Sequence, residues 1–132
     1  MNENPTTVLL VEDDAADTRL IQEALAGAGG NSFRVDRVTQ LCAALERIGR
    51  EDFDVILLDL TLPDSQGLAS FDRVFKAAPN AVIMVLSEAG DEASGNQAVQ
   101  RGAQDYLVKN HVDAHWLPRA LHYLIERKAS RD

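Results

Sequence analysis

Four short apolar runs stand out along the chain, and each ends in a residue able to carry chemistry. Val8-Leu9-Leu10-Val11 leads into Glu12-Asp13-Asp14. Val55-Ile56-Leu57-Leu58 lies between Asp54 and Asp59. Val82-Ile83-Met84-Val85-Leu86 ends in Ser87, and Tyr106-Leu107-Val108 ends in Lys109. Unbroken runs of this length, without polar alternation, read as strands buried on both faces, as in a parallel sheet. Between them the apolar positions recur at helical spacing. One stripe is Leu20, Ile21, Ala24, Leu25 and Ala28, stopped by Gly29-Gly30. A second is Leu41, Ala44, Leu45 and Ile48. A third is Leu68, Phe71, Val74 and Phe75, closed by Pro79. The last is Leu117, Ala120, Leu121, Leu124 and Ile125.

The predicted order is therefore regular. A first strand runs from near Thr7 to Glu12, and a second, shorter one from Phe33 to Val38. The third spans Asp54 to Asp59, the fourth ends at Ser87, and the fifth is Tyr106 to Val108. A helix follows each. The fourth helix, within residues 88–101, is the weakest, because Gly90 and Gly95 lower helix stability. The fifth is expected to start near His115, so that Pro118 falls in its first turn. Five βα units joined by right-handed crossovers predict a doubly wound, three-layer α/β domain.

Composition adds limits. A chain of 132 residues with 45% hydrophobic residues suits one domain with a substantial core. A formal net charge of -8 argues against a surface built for nucleic acid or for an anionic membrane. The single cysteine, Cys42, allows no internal disulfide and fits a reducing compartment. It is expected to pack on a helix face. No apolar stretch is long enough to span a membrane, and the first residues lack a charged-then-apolar signal pattern, so the expected location is cytoplasmic. His111, His115 and His122 lack metal-ligand spacing with one another and read as surface residues.

The strand endings carry the chemistry. In open α/β sheets the C-terminal edge of the strands is where ligands bind. Glu12, Asp13 and Asp59 would meet there with Ser87 and Lys109. Crowded carboxylates repel and need a cation or a shared proton. A hard divalent ion with oxygen ligands answers this, and Mg²⁺ suits a site with few carboxylates that leaves positions for water or phosphate. Asp14, with Asp17 three residues on, reads instead as a helix N-cap.

These residues resemble the response-regulator receiver domain. The resemblance is carried by Val11-Glu12-Asp13-Asp14, by the run from Leu57 to Leu68 (LLDLTLPDSQGL), by Val85-Leu86-Ser87, and by the run from Gly102 to Lys109 (GAQDYLVK). It covers nearly all of the chain. It implies a flavodoxin-like five-stranded parallel sheet in the order 2-1-3-4-5 with five helices. It implies that Asp59 accepts a phosphoryl group from a histidine kinase or phosphotransfer protein, with Mg²⁺ beside it. Glu12, Asp13, Asp59 and the Thr61 backbone carbonyl would hold the ion, Asp13 more directly than Glu12. Taking Asp13-Asp14 as the acidic pair would shift these roles by one residue. Ser87 and Tyr106 would form the switch, and Lys109 would pair with Asp59 and then with phosphate. Tyr106 and Lys109 are expected on one face of the fifth strand.

Two positions depart from the family pattern. Asn110 follows the lysine where a proline joined by a cis bond is usual. A non-proline cis bond costs about 2.5–4 kcal/mol, so the loop either carries that strain or takes another path. Glu88 follows the switch hydroxyl where a small residue is usual; an extra acid near the phosphoryl site could slow or reshape phosphorylation, but the side chain is expected to point to solvent. The last helix runs on without a stop signal, which suggests that residues 1–132 are the receiver at the N-terminal side of a longer signalling protein. Helix five would then lead to an output domain, and homodimerisation is a further expectation. Two other readings stand beside this one. An aspartyl-nucleophile phosphohydrolase lacks support from any second acid shortly after Asp59. A degenerate receiver serving only as a binding surface sits poorly with the intact acid set.

Overall fold

A computed structural model describes residues 5–27 and 32–131. The expected helix stop at Gly29-Gly30, and Ala28, lie outside the described residues. In chain order the elements are β1 (Thr6–Val11), α1 (Ala15–Ala26), β2 (Phe33–Val38), α2 (Leu41–Arg50) and β3 (Val55–Asp59). A two-stranded hairpin follows, β4 (Thr61–Leu62) and β5 (Ser65–Gln66). Then come α3 (Leu68–Ala77), β6 (Val82–Ser87), α4 (Glu92–Arg101), β7 (Asp105–Val108) and α5 (Leu117–Arg131). The five main strands form one parallel sheet in the order β2-β1-β3-β6-β7. Discounting the hairpin, this is the expected 2-1-3-4-5 order of a flavodoxin-like domain. Among the described residues no helix is long and apolar enough to cross a membrane.

Strand alternation divides the core into two layers. Leu9, Val11, Ile56, Leu58, Ile83 and Val85 face Leu41, Ala44, Phe71, Val74 and Ala98 of α2, α3 and α4. Val8, Leu10, Val55, Leu57, Met84 and Leu107 face Ile21, Ala24, Leu25, Leu117 and Leu121 of α1 and α5. Both faces are dry, which explains the unbroken apolar runs. Each fully buried Leu, Ile, Val or Phe contributes about 1.5–3 kcal/mol of transfer free energy. In β1, β3 and β6, covered on both faces, polar groups can emerge only where the strands end, whereas the half-buried β2 carries Arg34, Asp36 and Arg37.

Local chemistry fixes those ends. Asp14 caps α1 as expected, its Oδ1 accepting from the Asp17 amide at 2.9 Å. The start of α2 is capped from a distance. Asp64, in the hairpin turn after Asp59, accepts from the amides of Leu41 at 2.7 Å and Cys42 at 2.9 Å. Those amide hydrogen bonds, Cys42 first, hold its carboxyl below its ordinary value. The loop after Asp59 is thereby tied to a second element.

Several expectations are corrected. Leu20 is turned outward and 47% exposed; the inner stripe of α1 is Thr18, Ile21, Ala24 and Leu25. Cys42 is exposed, because α2 packs through Leu41 and Ala44. Helix α5 begins at Leu117, later than expected, because Asp113 takes the amides of His115 and Trp116 in a preceding turn. Pro118 still lies in the first turn, where its missing N–H costs nothing. Tyr106 and Lys109 do not share a face. They are three residues apart, and Lys109 lies in a 3₁₀ turn (Lys109–His111) beyond the strand. That turn is the alternative path at Asn110, and the described residues contain no cis peptide bond.

Gly95 lies within α4 for a packing reason. A Cβ there would lie 2.4 Å from Cγ of Tyr106, so only glycine lets the helix approach the ring. Gly95→Ala should gain about 1 kcal/mol of helix propensity yet destabilise the domain by about 1–3 kcal/mol through overpacking. In a Tyr106→Ala background the same change should cost less but still destabilise, because the Cβ of residue 106 would remain 2.8 Å from the added atom. Denaturant unfolding of the four proteins of this cycle checks the reduced cost.

Candidate functional site

The ends of β1, β3 and β6 and the turn after β7 converge at one edge of the sheet. The register places Leu58 beside Val11, Asp59 beside Leu86, and Ser87 beside Val108. Glu12 and Asp59 therefore project from neighbouring strand ends, and both are buried, as are Ser87 and Lys109. Asp13 is exposed. Carboxylate oxygens of Glu12, Asp13 and Asp59 lie within 4.8 Å of one another.

Lys109 is the hub. Its Nζ donates to Asp59 Oδ2 at 3.0 Å and to Glu88 Oε2 at 3.1 Å. It also lies 3.1 Å from Glu12 Oε1 and 3.3 Å from Asp17 Oδ2. Burial alone would lower the ammonium's pKa, but Asp59, Glu88 and Glu12 outweigh it and the net shift is upward. Lys109 is thus a fixed positive charge. The other oxygen of Asp59, Oδ1, accepts from the Thr61 amide at 3.1 Å. Both oxygens of the strand-end carboxylate are held, one by a cation and one by a backbone dipole.

Glu12 behaves differently. Burial, then the neighbouring Asp59, pushes its pKa up to about 8, against the opposing pull of the Asp14 amide and Lys109. Its Oε2 accepts from the Asp14 amide at 3.1 Å. Its Oε1 is buried and without a hydrogen bond, although it stands at ion-pair distance from Lys109. An underused buried oxygen beside two further carboxylates fits a hard divalent cation, which prefers oxygen ligands. Ser87 supplies a second underused group. Its Oγ is buried and has no hydrogen-bond partner among the described residues, a costly state unless a ligand completes it.

Every residue expected at the edge is near it except Tyr106, which packs in the layer of α4. Thr61 is exposed and touches the site through its amide. His111, His115 and His122 are all exposed, as expected, with His122 stacked on Phe33. Two contributors, Asp17 and Arg37, were not anticipated, and Glu88 departs from its expected orientation. Asp17, read only as a partner of the Asp14 cap, also reaches Lys109. Glu88 turns back onto Lys109 instead of pointing away, although its side chain is 63% exposed. Arg37, at the end of β2, donates to the carbonyls of Glu12 at 3.0 Å and Asp13 at 3.2 Å, bracing the backbone that carries the acidic pair. Only the β1–β2 register reveals Arg37; Asp17 was legible as one helical turn past the strand end.

Comparison with known proteins agrees with this geometry. Residues 8–121 match the family model of the response regulator receiver domain. The chain is 30% identical over 101 residues to the chemotaxis protein CheY of Thermotoga maritima, covering 76% of this chain and 83% of that protein. It is 33% identical over 104 residues to the DNA-binding transcriptional regulator NtrC of Rhizobium meliloti, covering 78% of this chain. The match spans only 21% of that relative's length. In fold it superposes on a CheY-like response regulator receiver domain protein from Methanospirillum hungatei with a TM-score of 0.82. That match covers 98% of this chain and all of the other, at 20% identity. The chain belongs to the response regulator receiver domain family of two-component signalling.

Proposed function

We propose that this domain accepts a phosphoryl group on Asp59 from a histidine kinase or phosphotransfer protein and relays the change through its α4-β7-α5 surface. The observation that carries the reading is the state of Asp59. It is a buried carboxylate at a strand end, held on one oxygen by Lys109 and on the other by the Thr61 amide. Orientation of this kind removes much of the entropic barrier to attack. An Asp59 oxygen attacks phosphorus, the bond from phosphorus to the donor nitrogen breaks, and the imidazole leaves with a proton from solvent. The product is a mixed anhydride on Asp59. Lys109 then neutralises phosphoryl charge, and the unpartnered Ser87 hydroxyl donates to a phosphoryl oxygen. Movement of Ser87 toward the phosphoryl group changes the packing on the side of Tyr106 and α4. A phosphoryl group can bias two states only through such differential contacts.

Glu12, Asp13, Asp59 and the Thr61 carbonyl would hold Mg²⁺. When bound, the ion supplies positive charge to the carboxylates and to the transferring phosphoryl oxygens. Receiver domains are regulatory, and the chain's relatives include much longer proteins. In the longer protein we expect, helix α5 would carry the change into an output domain, or a second copy would receive it.

Two outcomes are expected. Acetyl phosphate with Mg²⁺ should give an acid-stable, single-phosphoryl adduct by intact mass, and Asp59→Asn should abolish it. An adduct that survives the substitution would place the nucleophile elsewhere. The second concerns the ion. Glu12 is protonated at neutral pH without a cation, since its pKa is raised to about 8. Mg²⁺ must therefore displace that proton, so its affinity should climb as pH rises toward 8 and level off above. Glu12→Gln should flatten that dependence. Asp13→Asn should weaken binding strongly, and Asp14→Asn, which alters only a helix cap, slightly. Titration calorimetry in buffers of different ionisation enthalpy counts the released proton; a pH-independent affinity would contradict the assignment.

A further inference from the structure

Glu88 stands at this edge, yet the proposed chemistry does not use it. It directly follows Ser87, and its Oε2 accepts from Lys109 Nζ at 3.1 Å. Four carboxylates lie within 3.3 Å of this ammonium, which has only three N–H donors. The four are not equivalent. The side chain of Glu12 is fully buried, that of Asp59 4% exposed, and that of Asp17 26% exposed. Glu88 is 63% exposed, and its side chain makes no other hydrogen bond or ion pair among the described residues. It can leave Lys109 without stranding a charge out of water. The other three cannot do so at comparable cost.

We propose that Glu88 is a specificity-determining residue that discriminates against small anionic phosphodonors by occupying Lys109 at the mouth of the site. The inference rests on Asp59 being the phosphoryl acceptor. A phosphoryl dianion approaching Asp59 needs the ammonium that Glu88 holds, and it meets the Glu88 charge at the same place. Like charges so close disfavour binding, and the effect acts on association of the anion. Glu88 touches neither Asp59 nor the acidic pair, so it works through Lys109 as a positioning residue. Because the carboxylate is exposed, water and salt screen it, and the effect is modest. A protein donor that brings a cation to Glu88 would escape the penalty.

The test compares the wild-type protein with Glu88→Gln and Glu88→Ala, both changes at an exposed site. Acetyl phosphate supplies the phosphoryl group, and beryllofluoride, standing in for a phosphoryl group on Asp59, supplies an affinity. Both are used with Mg²⁺ at low and high salt. Both variants should lower the half-saturating donor concentration by about two- to fivefold, the range expected for an exposed charge. The maximal rate should move by less than about twofold, and added salt should shrink the difference. Equal half-saturation in all three proteins, or a changed maximal rate at unchanged half-saturation, would overturn the role of Glu88 and leave Asp59 as acceptor. No adduct in any of the three would overturn the acceptor reading, and the Glu88 inference with it.

Discussion

A single buried ammonium holds this site together. Glu12 and Asp59 emerge from adjacent strand ends into a region with little water, and Asp17 reaches in from α1. Without Lys109 these acids would repel one another, and Asp59 would be a buried charge without its cation. Lys109 settles the charge at the ends of β1 and β3 at once, while Glu12 takes up a proton. The same balance leaves a capacity unfilled. Among the described residues Ser87 Oγ is a buried polar atom without a hydrogen-bond partner, and Glu12 Oε1 has only its ion pair with Lys109. The structure is complete as a fold and incomplete as a set of hydrogen bonds, and the gap lies where a cation and a phosphoryl group would fit.

The parallel sheet makes that arrangement unavoidable in kind. Both faces of its central strands β1, β3 and β6 are covered by helices, so their interiors admit only apolar side chains. Chemistry is confined to the strand ends, and the parallel direction gathers those ends on one side. The elements around the edge are pinned to it by polar contacts of their own. Asp14 caps α1, Arg37 binds the carbonyls of Glu12 and Asp13, and Asp64 ties the hairpin after Asp59 to α2. Tyr106 is different. It is wedged against Gly95 in the other layer, remote from the acids but one strand from Ser87. Such a side chain can report a change at the edge to the surface of α4 without touching the ligand.

Much of this was legible in the sequence, for physical reasons. Long dry strands announce themselves as unbroken apolar runs, so β1, β3 and β6 and the residues ending them followed directly. The N-cap at Asp14 followed from its spacing to Asp17. What escaped was set by rotation, register or reach. Leu20 fits the apolar stripe of α1, yet the rotation of the helix turns it out. Arg37 is one polar residue in a half-buried strand, and only its pairing with β1 brings it to the acidic pair. Glu88 sits at the expected place, but whether a flexible carboxylate turns to solvent or to a lysine depends on what lies across the gap. Tyr106 and Lys109 differ because the strand ends between them, and alternation does not extend through a 3₁₀ turn.

The claim that one ammonium balances the edge is tested most directly by replacing it with an apolar side chain of similar length. Unfolding of Lys109→Met by denaturant, followed from pH 5 to 9 with and without Mg²⁺, reads the balance as a free energy. Removing the partner of buried carboxylates should cost about 3–5 kcal/mol near neutral pH. The loss should grow from pH 7 toward pH 9 as Glu12, whose pKa is raised to about 8, gives up its proton, and Mg²⁺ should restore more stability to the variant than to the wild-type protein. A variant as stable as the wild type across this range, with no greater response to Mg²⁺, would show that the carboxylates are balanced by something other than Lys109.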